Sequence, residues 1–460
     1  MKTKKSIALF LAAVLMVGTA SGCGGKNEND DGKISLSVGL WPDETNPKNL
    51  EAMNKQKDEF MAANTDITII PDTYKYDTKT FTMKAAANQL PNMFKPWFTE
   101  IKQLIKAGYV ADITDTMKKY KFDTGLNPEL IKLVTGDDGK IYGVPTDAYV
   151  LGIFLNKDLY KQAGLIKEDG TIKIPDTWQE VGEYSKTIKE KTGKAGFIFP
   201  TTNNCGGWLF LNIAWSYGVE FCKQRDDGSW EATFDTQEAK DALQYIKDLK
   251  WKYDALMDDT AIDQDMMYKY FGSGQGAMII ATPPISMAPW GMDNSNVCVA
   301  QMPKGPKGRF AQMGGNLWMF SKASTPEQID AGFKWLEFTG FAPEMTPEME
   351  EQYKVSCEKT VDSGSIIIER ESYDVWTNPE TLEKRRSIRK QYSNVDYNDY
   401  KTYFEPDNLT INLEPAACAQ QLYAVLDKCI QEVITNENAD VSELIKTACE
   451  DYQKNHLDKM

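Results

Sequence analysis

The chain has 460 residues, with 67 Asp and Glu against 52 Lys and Arg, one histidine, 11 tryptophans, 21 tyrosines and a formal net charge of −15. That length allows two lobes with separate cores at the usual ~100–200 residues per domain, and two lobes imply a cleft. The acidic balance argues against nucleic acid or anionic lipid as a partner, since both need a basic face, and leaves a neutral or cationic ligand.

In chain order, Lys2, Lys4 and Lys5 precede an uncharged apolar run from Ile7 to Val17. This is the pattern of a secretory signal, and the run is too short to span a bilayer. Ala20-Ser21-Gly22-Cys23 resembles a bacterial lipobox, with Ala20 where leucine is usual. Cys23 is therefore expected to be the first mature residue and to carry lipid at the outer face of a cell membrane, as in a Gram-positive cell. Residues 1–22 are then the signal peptide and 23–32 a tether too polar and glycine-rich to fold. The plainer alternative is an ordinary signal with Cys23 an incidental thiol.

Ile34 to Leu40 alternates as a strand and stops at Trp41-Pro42-Asp43; Asn49 to Ala63 has helical periodicity and Ile67 to Ile70 is a second strand. That order predicts a parallel βαβ unit, whose ligands bind beyond the carboxyl ends of the strands. A helix from Thr80 to Asn88, a short strand Met93-Phe94 and a helix from Ile101 to Ala107 follow. After residue 150 the pattern resumes: strand Leu151 to Leu155, a helix opened by Thr177 and Glu180 in capping-box spacing, strand Gly196 to Phe199, and a long helix from Thr236 to Tyr253. Met278 to Ile280 and Val297 to Val299 are expected strands; Pro415 to Glu432 and Val441 to Asn455 are expected helices. Beyond Cys23 the seven cysteines contain no CxxC, so free thiols are expected, with Cys205 to Cys222 the one bridge worth considering.

A family is recognisable at this point. Asp138-Gly-Lys-Ile-Tyr-Gly-Val-Pro145, Leu155-Asn-Lys-Asp-Leu-Tyr-Lys-Gln-Ala-Gly164 and Pro175-Asp-Thr-Trp178 are followed by Phe271-Gly-Ser-Gly-Gln-Gly-Ala-Met278, Gly314-Gly315-Asn316, Pro326 and Leu422-Tyr-Ala-Val-Leu-Asp427. In this order they resemble the carbohydrate-binding group (family 1 type) of extracellular solute-binding lipoproteins that serve bacterial ABC importers. The resemblance implies an α/β, two-lobe periplasmic-binding-protein-like fold with discontinuous lobes and a hinge. It also implies a carbohydrate ligand, an oligosaccharide, held between the lobes and delivered to permease subunits, with no cofactor, no metal and no catalysis. The expected lobes are 33–147 with 302–342, and 148–301 with 343–460, crossing near Asp147 to Val150, Val297 to Pro303 and Gly340 to Pro343.

Sugar sites pair an aromatic face with carboxylates and amides that reach vicinal hydroxyls. Trp41 and Asp43 offer both at a strand end, although a Trp-Pro staple is an equal reading. Trp97 follows the Phe94 strand at the next cleft loop. Asp147 and Tyr149 stand at the implied crossing, where hinge fixing is the rival role. Trp208 is the leading candidate, in a loop where Gly206-Gly207 would let backbone approach a ligand. Asn316 and Trp318 follow Gly314-Gly315, and Trp318 also reads as buried strand. Trp290 and Trp376 complete the set from proline-flanked stretches.

Two other classes stay open. A secreted glycoside hydrolase needs only two carboxylates, and a surface glycan-binding protein needs no transporter. A Ser-His-Asp hydrolase is disfavoured, since the single histidine is His456 and no GxSxG occurs. Imidazole or thiolate metal chemistry is likewise unsupported, while Asp258, Asp259, Asp263 and Asp265 are dense enough in acid for a calcium loop or, more plainly, a solvated one.

Overall fold

A computed structural model describes residues 32–460; Cys23 and the stretches expected to be signal peptide and tether, up to residue 31, lie outside the described residues. β1 (Ile34–Val38) and β2 (Ile67–Pro71) run parallel, Ile34 opposite Ile67 and Val38 opposite Pro71, with the helix Pro47–Ala63 as their crossover. Leu36 and Val38 point into the core, which is what the alternation requires. β3 (Met93–Phe94) joins the other edge of β1. The long strand β11 (Gly308–Phe320) then pairs antiparallel with β3, with β4 (Gly143–Val150) and with β10 (Lys304–Gly305), and parallel with β12 (Leu409–Leu413). These seven strands form the first sheet.

The second sheet is antiparallel and fully buried: β5 (Gly152–Asn156) lies between β8 (Met278–Ala281) and β9 (Val297–Ala300). The helix Gln237–Trp251 packs in one layer with Cys205–Tyr217, Ala419–Thr435 and Val441–Asn455, and the helix Trp178–Thr192 meets it through Trp178, whose ring lies 6.0 Å from that of Tyr245. The Thr177 capping box forms as the spacing predicts, the hydroxyl accepting from the Glu180 N–H and the Glu180 carboxylate from the Thr177 N–H. A hairpin of β6 (Cys222–Gln224) and β7 (Trp230–Ala232) sits at the rim. Two sheets with helices on their faces give an α/β fold of two lobes.

The chain changes sheets at Leu151 and again between Ala300 and Lys304. Both passages are tied down. Tyr403 donates its hydroxyl to the Val150 carbonyl at 2.8 Å, Val150 donates its N–H to Ser372 Oγ at 3.2 Å, and Leu151 donates to the Gln312 carbonyl at 2.9 Å. At the second passage the buried Arg309 bonds the Met302 and Asp407 carbonyls and pairs with Asp176 at 2.5 Å. β12 returns to β11 a hundred residues later, and Trp376 packs on Phe122 and Phe341, so segments beyond 343 touch the first sheet's side as well as the second's.

One expected strand does not form. Residues 196–199 run as irregular backbone, donating from Gly196 and Phe197 to the Ala255 carbonyl and from Ile198 to the Met278 carbonyl. Gly196 presses on Ser185 of the neighbouring helix, and the hydrogen bonds are split between two partners, so no ladder develops.

Candidate functional site

Where the lobes meet, a cavity of about 470 Å³ gathers residues from both. Trp97 and Thr99 come from the turn after β3, Tyr149 from β4, Asn316 from β11, and Asn204 and Trp208 from the start of the helix Cys205–Tyr217. Glu414 and Tyr423, just after β12 and on the next helix, form the floor. A second cavity of about 360 Å³, containing Asp147, Arg385 and Arg389, shares Tyr149 and Thr282 with the first. The two are therefore one cleft with Tyr149 at its waist. A larger groove of about 780 Å³ runs along residues 44–62 only, so it brings together nothing distant in sequence.

The geometry around Trp208 is set by backbone. Asn203 and Asn204 are left-handed (φ 57° and 68°), a conformation asparagine tolerates better than most residues and one common at functional turns. The turn ends on the carboxylate of Asp427, which accepts the Asn204 N–H and the Gly207 N–H at 2.7 Å each. Those are orphan donors of a helix N-terminus, supplied here with an acceptor from a different helix. Burial pushes the Asp427 carboxyl up, and these N–H groups pull it part of the way back. Asp427→Asn keeps one acceptor oxygen and removes the charge; it is expected to cost about 1–2 kcal/mol, read as a shift of the denaturant midpoint at constant slope.

Gly206 and Gly207 do not face the cleft as the sequence suggests. A Cβ on Gly207 would stand 2.6 Å from Tyr423 Cα, and one on Gly206 2.8 Å from the Asp427 carboxylate and the Pro200 carbonyl. Gly207 is there so that two helices can touch backbone to backbone, and Gly206 leaves room for the Asp427 carboxylate and the Pro200 carbonyl. Trp208, in consequence, is on the first turn of a helix rather than in a loop.

Glu414 ties the site together. Its Oε1 accepts from the Trp208 indole N–H (3.0 Å), from Gln312 Nε2 (2.9 Å) and from the Tyr423 hydroxyl (3.0 Å). Burial in the cleft wall pushes its carboxyl up to about 7, against the pull of these donors. Across the cleft, Trp97 is 45 % exposed with its edge against Tyr76 at 5.6 Å, an open aromatic face on the opposite lobe.

The sequence-derived candidates divide. Trp97, Tyr149, Trp208 and Asn316 line the first cavity and Asp147 the second. Asn316 donates its amide to the Asp147 carboxylate at 3.0 Å, and Gly314 and Gly315 are required because a Cβ would strike the Tyr149 ring and the Asp147 carbonyl. Trp318 lies behind this pair with the Lys95 ammonium 4.9 Å over its ring, and burial lowers the Lys95 pKa while Asp147 raises it. Trp41 and Trp376 are corrections: they are 3 % and 2 % exposed and serve the core. Trp41 stacks on Trp335 at 6.1 Å and bonds Asn54, and Trp376 packs 4.5 Å from Phe341. Asp43 turns to Thr45 on the exposed surface. Trp290 packs on Tyr268 at 5.2 Å and lines, with Tyr353, a further cavity of about 480 Å³ that shares Pro284 and Arg389 with the second. Sequence reasoning missed Glu414, Tyr423, Asn204 and Gln264. Tyr423 lay within the Leu422 to Asp427 motif that carries the family resemblance, but it was not singled out for the site.

Among the described residues no group of three or more His, Cys, Asp or Glu is placed to hold a metal ion. Asp263 instead caps the helix Gln264–Gly272 and Asp259 accepts the Tyr270 hydroxyl. The seven described cysteines are free thiols. What the first cavity offers is aromatic faces from both lobes, side-chain amides and the Glu414 carboxylate, a set suited to a neutral ligand with many hydroxyls.

Comparison with known proteins agrees with this architecture. Residues 41–340 match the family described as bacterial extracellular solute-binding protein. The chain is 25 % identical over 350 residues to the maltodextrin-binding protein MdxE of Bacillus subtilis, covering 73 % of this chain and 76 % of that one. It is 24 % identical over 361 residues to the polygalacturonan/rhamnogalacturonan-binding protein YtcQ of the same species, covering 73 % and 69 %. Among solved structures, maltose-bound MalE3 of T. maritima superposes with a TM-score of 0.64 at 20 % identity, over 92 % of this chain and 99 % of that chain. The cyclic alpha-maltosyl-1,6-maltose binding protein of Arthrobacter globiformis gives 0.63 at 22 % identity, over 91 % and 98 %.

Proposed function

This chain belongs to the bacterial extracellular solute-binding proteins, and from that premise we propose that it is the receptor of an ABC importer, capturing an oligosaccharide between its lobes without chemical change. The observation that carries the reading is the meeting of Trp97 and Trp208, from opposite lobes, in one cavity with Asn204, Asn316 and Glu414. A sugar ring has two apolar faces and a polar rim, so aromatic platforms with amides and a carboxylate between them match it group for group. The length of the cleft, two cavities joined at Tyr149, favours more than one sugar unit. Relatives named for maltodextrin and polygalacturonan binding point to the same ligand class.

Closure follows from the hinge. The proposed lobes, 33–147 with 302–342 against 148–301 with 343–460 apart from β12 and the stretch around Trp376, which pack with the first sheet, rotate about the passages at Leu151 and 301–303, and the ligand shifts the balance toward the closed form that a permease reads. Lipid on Cys23 would hold the receptor at the outer face of a cell that lacks an outer membrane, within reach of its transporter. Membership of a family of solute-binding proteins favours binding over catalysis.

The test is thermal unfolding against mono- and oligosaccharides, including maltotriose, arabinotriose and digalacturonate. A ligand bound only by the native state at 100 times its Kd stabilises by about 2.7 kcal/mol. For a chain of this size that is an upward shift of a few degrees. We expect a shift with an oligosaccharide recovered intact. Cleaved sugar would identify a hydrolase, and no shift with any sugar would end the carbohydrate reading.

A further inference from the structure

Three neutral donors, from three elements, converge on one oxygen of Glu414: the Trp208 indole, the Gln312 amide and the Tyr423 hydroxyl. The other oxygen, Oε2, has no hydrogen-bond partner among the described residues. Nor is it among the buried side-chain atoms shut off without a partner, so it is open to the cavity that Glu414 lines. Glu414 forms no ion pair among the described residues. Its surroundings are therefore unusual for a carboxylate: donors on one side, an open cavity on the other and no cation to neutralise it.

We propose that Glu414 works with both oxygens, Oε1 fixing the plane of the Trp208 indole and Oε2 accepting a hydroxyl of the bound sugar, so that binding is linked to loss of its proton. The second half rests on the carbohydrate reading; the first does not. An unliganded carboxylate this poorly compensated holds its proton to about pH 7. A hydroxyl donated to Oε2 is a charge-assisted bond, about twice as strong as a neutral one, and it favours the ionised form. Sugar therefore lowers the pKa, and linkage requires that affinity rise as pH climbs through neutrality and that a proton be released on binding. A ligand that merely covered the carboxylate would desolvate it further and give the opposite slope.

The titratable groups that face Glu414 are Tyr423 from the helix Ala419–Thr435, Tyr149 from β4 and Glu100 from the turn after β3. Burial holds both tyrosines protonated throughout the neutral range. Glu100 is the one competitor, since burial raises it too and its charge pushes Glu414 up.

The experiment has a ligand-free arm and a ligand arm. With the tryptophans 15N-labelled on the indole nitrogen, the Trp208 resonance, assigned through Trp208→Phe, is followed from pH 5.5 to 8.5. It should titrate with a midpoint near 7, stay flat in Glu414→Gln, and titrate at a lower midpoint in Glu100→Gln. A flat wild-type resonance, or a titration surviving in Glu414→Gln, overturns the positioning role. In the second arm, the sugar giving the largest melting shift is titrated calorimetrically at pH 6 and 8 in buffers of different ionisation enthalpy. Affinity should be about tenfold higher at pH 8, with proton release, and Glu414→Gln should be weaker and pH-independent. A flat or inverted profile in the wild type overturns the Oε2 contact. A panel without a binder removes that contact together with the carbohydrate reading, and the indole titration still decides the positioning role.

Discussion

Trp208→Ala is expected to weaken sugar binding by about 2–4 kcal/mol, ~30- to 1,000-fold in Kd, while leaving the protein folded. The indole presents its ring to the cleft and its N–H to Glu414 at 3.0 Å, so truncation removes the stacking face and loosens a carboxylate that lines the same cavity. The ring is only partly buried against the core. Its loss should therefore cost less stability than the ~3–5 kcal/mol of a fully buried tryptophan, and the melting midpoint should fall by a few degrees. Trp208→Phe keeps an aromatic face without the N–H and should recover part of the affinity. Calorimetric titration alongside a melting curve checks both quantities, and full affinity in the alanine variant would remove Trp208 from the site.

Gly207→Ala is expected to have the larger effect on the fold, although it adds a single methyl group. That methyl would stand 2.6 Å from Tyr423 Cα and closer still to the Tyr423 carbonyl, and neither is a side-chain end that can swing away. The helix Cys205–Tyr217 would have to move off the helix Ala419–Thr435. That movement would lengthen the Gly207 N–H bond to Asp427 and the Tyr423 and Trp208 bonds to Glu414 together. Overpacking of this kind costs about 3 kcal/mol or more, and here the damage runs straight into the binding site. Denaturant unfolding should show a lower midpoint, and affinity should fall in the same variant. Gly164→Ala, at a left-handed turn with open space around it, is a control whose cost is backbone strain alone.

Local signals carried far in this chain. The alternation in β1 and β2, the capping box at Thr177 and the helical spacing of 441–455 each became the element expected, because each depends on neighbours within a few residues. The strand expected at 196–199 failed for the complementary reason: its hydrogen-bond partners, Ala255 and Met278, are more than 50 residues away and do not form a continuous edge. Among the tryptophans, a proline-flanked indole at a strand end looks the same whether it stacks on Trp335, as Trp41 does, or lies open on the cleft, as Trp97 does. Gly206-Gly207 gave the same ambiguity, since a close backbone approach to a ligand and one to another helix require the same absent Cβ.

The sequence by itself determined the family, the α/β class and the order of the elements, since these follow from periodicity and from motifs that each occupy a short stretch. Only the tertiary structure decided which side chains make the site. Trp208 meets Glu414 across 206 positions, and Gln312 meets it across 102. Glu414 becomes unusual only because that meeting withdraws it from water without giving it a cation. The cost of burying a charge is a property of the surroundings a fold assembles, and no spacing along the chain encodes it.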